Sequence, residues 1–165
     1  MALALAAATL GMAQQAAAPQ ADTQATLTYK RDLSLPRKMA QGGTPNGAYQ
    51  FIRGYPGPHC KDKMFSADFQ VGRGKAVPGM DESKAVSIPS GQRLWIFAYT
   101  NQVGSVRSWC QNMVSFVPTP GAHYELTQLV DSFDECFVKI VGDDGKAPYS
   151  LERSRPGGSC FPWPG

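Results

Sequence analysis

The sequence predicts an all-β fold: an antiparallel β-sandwich of about seven to nine short strands, immunoglobulin-like in plan. Three observations carry this. Apolar residues alternate with period two through the chain from Ala25 onward, and no window holds a convincing 3.6-residue period. Gly and Pro clusters interrupt the alternation at short intervals. Four cysteines are spread widely, with no C-x-x-C pair.

The strands follow from that alternation. They are expected at 25–30, 48–53, 65–72, 85–88, 93–100, 108–117, 124–129, 136–141 and 149–153. Turn chemistry separates them, at Gly42-Gly43, Pro45-Asn46-Gly47, Pro56-Gly57-Pro58, Pro78-Gly79, Pro89-Ser90-Gly91, Pro118 to Gly121, and Gly142-Asp143-Asp144-Gly145. Leu94-Trp95-Ile96-Phe97-Ala98-Tyr99 is apolar on both faces, which marks a central strand. One face would meet the opposing sheet, and a loop, a helix or a partner would cover the other. In 108–117 the phase of Cys110, Val114 and Phe116 points inward, and Asn112 in that phase needs a hydrogen-bond partner. Cys136, Val138 and Ile140 form another inner face. Ser34–Ala40 is the one candidate helix, and it is short. No internal repeat is visible.

Length and composition bound the rest. Of 165 residues, 18% are charged and 42% apolar, and Gly (17) and Pro (13) are both frequent. A charged share below the usual ~25% with an ordinary apolar share excludes a disordered chain, a coiled coil and a collagen. Ala2–Leu10 is a short apolar run followed by Gly11-Met12-Ala13. Spanning a bilayer takes ~20 apolar residues, so this segment reads as a secretory leader, cut after Ala13. Residues 1–13 are therefore expected to be a signal peptide, 14–24 a flexible tether, and 25–165 one domain. The leader has no Lys or Arg; the first basic residue is Lys30. The first cysteine is Cys60, far from the cleavage site, so no lipid anchor is expected.

Export and an even cysteine count imply disulfides, for which four cysteines allow three connectivities. Cys110 and Cys136 lie within expected strands and are assigned to each other. Cys60 and Cys160 lie in Pro/Gly-rich segments, and a bridge between them would pin the C-terminal tail to an early loop.

Three stretches resemble small bacterial envelope proteins with a PEGA-like or transthyretin-like β-sandwich. They are Val86-Ser87-Ile88-Pro89-Ser90-Gly91 leading into Arg93–Ile96, Phe116 followed by Gly121-Ala122-His123-Tyr124, and Cys136–Asp143. The resemblance covers about Ala48 to Gly145. It implies a fold and a compartment and carries over no catalytic residue. Those proteins are mostly lipoproteins, and this chain departs from them in lacking the anchor cysteine.

Site chemistry is sparse. The only histidines are His59 and His123. His59 precedes a cysteine expected to be oxidised, and His123 falls on an outer face, so both read as solvated side chains. Asp131, Asp134 and Glu135 precede one strand and Asp143-Asp144 follow it. Carboxylates suit Ca²⁺, but the spacing lacks the D-x-[DN]-x-[DN]-G loop, and Asp143-Asp144-Gly145 reads as a hairpin turn. No G-x-S-x-G, H-E-x-x-H, P-loop or dinucleotide motif occurs. The reading is therefore non-enzymatic, without cofactor or metal; a small hydrolase using His59 or His123 is the remote alternative.

Net charge is +3, with the basic residues scattered rather than clustered, which argues against nucleic acid as a partner. Aromatic residues are too many for one inner face. Trp95, Tyr99, Trp109 and Trp163, with Arg107, are the candidate binding residues, because exposed aromatics and Arg make binding anchors. Phe161-Pro162-Trp163 reads equally as a lid over Trp95 and Tyr99 or as part of that surface. The expected function is an exported, non-catalytic β-sandwich that binds a protein or polymer in the bacterial envelope. A periplasmic inhibitor or immunity protein is the alternative. The expected location is the periplasm or the exterior, with no membrane span in the mature form.

Overall fold

A computed structural model describes residues 24–30, 48–71, 83–102, 108–130 and 136–160. They form nine strands: β1 (Gln24–Lys30), β2 (Ala48–Tyr55), β3 (Phe65–Val71), β4 (Ser83–Pro89), β5 (Leu94–Gln102), β6 (Ser108–Phe116), β7 (His123–Val130), β8 (Cys136–Gly142) and β9 (Glu152–Ser154). Eight occupy segments where alternation places them, and β9 overlaps its expected segment only at 152 and 153. The leader, residues 14–23 of the tether and the helix expected at 34–40 lie outside the described residues. Gln24, assigned to the tether, opens β1 opposite Pro89.

The strands make two sheets, ordered β4-β1-β7-β8 and β3-β2-β5-β6-β9. All pairings are antiparallel except β1 with β7, which is parallel. β5 is central, as its two apolar faces require. Side chains alternate across each strand, so Leu94, Ile96 and Ala98 face the other sheet. There they meet Ile52, Val114 and Phe116 from their own sheet and Leu27, Leu126, Val138 and Ile140 from the other. This layer is the main core. Gly54 on β2 is required by space, since a Cβ there would collide with the Phe65 ring. Gly91 and Gly121 hold positive φ in the turns after β4 and before β7, where a side chain would be strained.

Both disulfides form as assigned, Cys60–Cys160 and Cys110–Cys136. Cys110 on β6 and Cys136 on β8 belong to different sheets, so this bridge ties the two layers together rather than two neighbouring strands. Beside it, Asn112 finds its partners: Nδ2 donates to the Cys136 carbonyl at 3.0 Å, and Oδ1 accepts from Gln128 Nε2 at 3.0 Å.

The last strand is displaced from its expected 149–153. Pro148 to Leu151 closes a turn, with Leu151 N donating to the Pro148 carbonyl at 3.0 Å. Ser150 uses its hydroxyl to accept from Val117 N at 2.8 Å. Pairing with β6 therefore starts only at Glu152, and Tyr149 is left fully exposed.

Candidate binding surface

The outer face of the five-stranded sheet gathers the aromatic residues that the core cannot hold. Register fixes its rows. Asp68, Phe51, Tyr99 and Gln111 lie side by side across β3, β2, β5 and β6. Arg53, Phe97, Met113 and Ser154 make the next row, and Tyr55, Trp95, Ser115 and Glu152 the one beyond. On the other side of the first row stand Asn101 and Trp109.

This face is unevenly covered. Phe51, Phe97, Tyr55 and Met113 are buried together with Cys160, with Cys60, Trp95 and Tyr99 packed at their margin. Cys160 belongs to the chain after β9, where a short 3-10 turn, Gly158–Cys160, is held by the disulfide to Cys60. Ser159 Oγ donates to the His59 carbonyl at 2.8 Å, a second tie between tail and loop. The tail up to Cys160 is thus tied as a strap to the loop after β2, whereas the lid reading rested on Phe161-Pro162-Trp163. Phe161 and Trp163 lie outside the described residues.

Beneath the strap the rings contact one another. Phe51 lies 5.1 Å from Tyr99 and 5.9 Å from Phe97, centroid to centroid. The Arg53 guanidinium sits 4.3 Å above the Phe51 ring, where the ring's negative face attracts it. Burial pushes the Tyr99 hydroxyl above its ordinary value, so it remains a neutral donor through the physiological range. At the sheet margin Arg93 braces β5 against the last strand. Its Nη1 donates to Ser115 Oγ at 3.0 Å, and its Nη2 pairs with Glu152 Oε1 at 3.0 Å.

Of the five candidate binding residues, Trp95 and Tyr99 are half-buried at the strap's margin and Trp109 is 62% exposed. Arg107 and Trp163 lie outside the described residues, as do Asp131, Asp134 and Glu135. Alternation alone puts Trp95, Tyr99 and Trp109 on one face but cannot say how far each is buried.

The histidines are apart and exposed. His123 Nδ1 lies 3.7 Å from Asp143 Oδ2, a contact between two solvated side chains. Asp143-Asp144-Gly145 is a turn, closed by Gly145 N to the Gly142 carbonyl at 2.9 Å and by Lys146 N to Asp144 Oδ1 at 3.0 Å. Among the described residues no group of three His, Cys, Asp or Glu side chains could hold a metal, and no helix is long and apolar enough to cross a membrane.

Two exposed apolar residues were not singled out by sequence: Tyr149, and Met64 at 42% exposure. Met64 borders a groove of about 430 Å³ with Phe65, Ser87, Pro89 and Gln92, where the ends of β3 and β4 meet. Gln24 of β1 also lines it, so a turn and three strand ends that only the sandwich brings together make the groove.

No family model matches the chain, and no curated protein does. Among solved structures the chain is similar to the T6SS lipoprotein TssJ1 from Pseudomonas aeruginosa, at 12% identity and a TM-score of 0.35, over 77% of this chain and 99% of that one.

Proposed function

We propose that this protein is an exported, non-catalytic binding module that engages a protein or polymer partner in the bacterial envelope through the outer face of its five-stranded sheet. The carrying observation is Trp109: a Trp 62% exposed on a sheet face whose neighbouring aromatics are buried or half-buried. A large exposed aromatic beside a rigid, crosslinked surface binds at low entropic cost, because little remains to be ordered. The two disulfides support export, since such bridges persist in oxidising compartments. The apolar leader and the resemblance to envelope sandwiches support the same compartment.

The test is affinity capture from periplasmic extract with the wild-type protein and Trp109→Ala, after matching their thermal unfolding. The proposal expects a partner retained by wild type and lost by the variant. Equal retention by both proteins would remove this face from the account.

A further inference from the structure

Resting on that reading, we infer that the edge of β6 at Trp109 and Gln111, unpaired among the described residues, takes up an extended segment of a protein partner as an added strand. β5 pairs with β6 along its whole length, from Ser108 to Phe116. β9 covers the other side of β6 only from Met113 to Ser115. Which groups that leaves open follows from period two. Val117 N donates to Ser150 Oγ, on the β9 side of the strand. Residues two apart point their backbone groups the same way. Ser115 and Met113 therefore turn toward β9, and Gln111 and Trp109 turn toward the same edge, where no described strand pairs with them.

The sequence explains why β9 stops. Extending its register places Pro156 opposite Gln111. Proline has no N–H, so it cannot donate to the Gln111 carbonyl, and the chain leaves the ladder to become the strap. The other edges are occupied differently. β3 and β4 flank one another, joined by Lys84 Nζ to the Asp68 carbonyl. On β8 the Cys136 and Val138 carbonyls accept from the side chains of Asn112 and Arg153. At Trp109 and Gln111 no side chain takes that role among the described residues.

The occupant is set by three features in a line. Two N–H and two C=O groups call for an extended backbone, which β9 already supplies two residues further along. Trp109 projects onto the outer face beside them and calls for an apolar side chain. Arg155, exposed where β9 ends, calls for a carboxylate at the adjoining end of the incoming segment.

The probe is an acetylated, amidated peptide of about seven residues that alternates Val with Glu around a central Phe, compared with its Lys counterpart. Amide hydrogen exchange of the ¹⁵N-labelled protein, disulfides intact, reads the site. The acidic peptide should slow exchange at Trp109 and Gln111 by about tenfold or more, saturably, and the Lys peptide should not. Gln111→Pro, which removes one edge N–H, should abolish the effect; should that variant fail to fold, Trp109→Ala and an N-methylated peptide serve instead, each expected to weaken it about tenfold. No saturable protection in the wild-type protein, equal protection by the Lys peptide, or protection that arises from self-association of the chain without peptide would each overturn the inference. A partner whose capture needs Trp109 but leaves both amides exchanging freely would also overturn it, while the binding reading above would stand.

Discussion

The two faces of the central five-stranded sheet are built from the same strands yet buried by different means. The inner face is covered by a second sheet, and Ile52, Ile96, Ala98, Val114 and Phe116 vanish into a continuous layer. On the outer face Phe51, Phe97 and Met113 are buried in a smaller cluster with Cys160 of the strap, whereas Trp109 stands in water. A sheet covers a sheet along its full length, because both repeat with the same pleat. The lesson is that two faces of one sheet need not be buried alike, since Trp109 stays in water beside a cluster that the Cys60–Cys160 bridge joins.

The sharpest way to break this comparison is to remove the strap's anchor. Cys60→Ser with Cys160→Ser opens a link between residues 100 apart in sequence, and the chain-entropy model assigns such a link ~4–5 kcal/mol. Urea unfolding should show a loss of that order, and an apolar dye should bind the folded variant where it ignores the wild type. A variant that loses stability without dye binding would mean that the strap stays docked unaided.

The second prediction concerns the inner face, where two buried glutamines behave oppositely. Gln128 is satisfied: Thr100 Oγ1 donates to its Oε1 at 2.6 Å, and its Nε2 donates to the Cys110 carbonyl at 3.2 Å. Gln50, paired with Thr100 in the register, is 1% exposed with neither side-chain atom hydrogen-bonded among the described residues. Gln128→Ala strands Thr100 and Asn112 and should cost about 2–3 kcal/mol in urea unfolding. Gln50→Leu removes two unpaired polar atoms at similar volume and should stabilise by about 1 kcal/mol. A loss on Gln50→Leu would show that its amide has a partner, such as a buried water.

The smallest effect sharpens the outer-face claim. Trp109→Ala should change stability by less than about 0.5 kcal/mol, as for a solvated side chain, while abolishing partner capture. A large loss of stability would make Trp109 a packing residue and would move the binding surface elsewhere.

Strand positions were legible where a run of alternation is ended by Gly or Pro, as in Ser83–Pro89 before Ser90-Gly91. The inward phase of Cys110, Val114 and Phe116 followed from the same rule, and so did both disulfides, from the segments their cysteines occupy. Sheet membership was not legible. Nothing local in Thr26–Lys30 says that it lies parallel to β7, a pairing across about 97 residues of sequence. Nor does Cys136 announce that it sits on the sheet opposite Cys110. For the outer face, the sequence identified the aromatic residues and the bridge that ties the tail to an early loop, but not which aromatics would be buried. The tail's course depends on a tertiary bridge and on where β9 ends.

The account rests on a sandwich matured outside the cytoplasm, with one bridge between its sheets and one anchoring the strap. Peptide mapping under non-reducing conditions, on protein recovered from its native compartment with thiols blocked at lysis, reads this directly. The account predicts the linked pairs Cys60–Cys160 and Cys110–Cys136 with no alkylated cysteine. Four alkylated thiols, or pairs exchanged between the strap and the sheets, would contradict it.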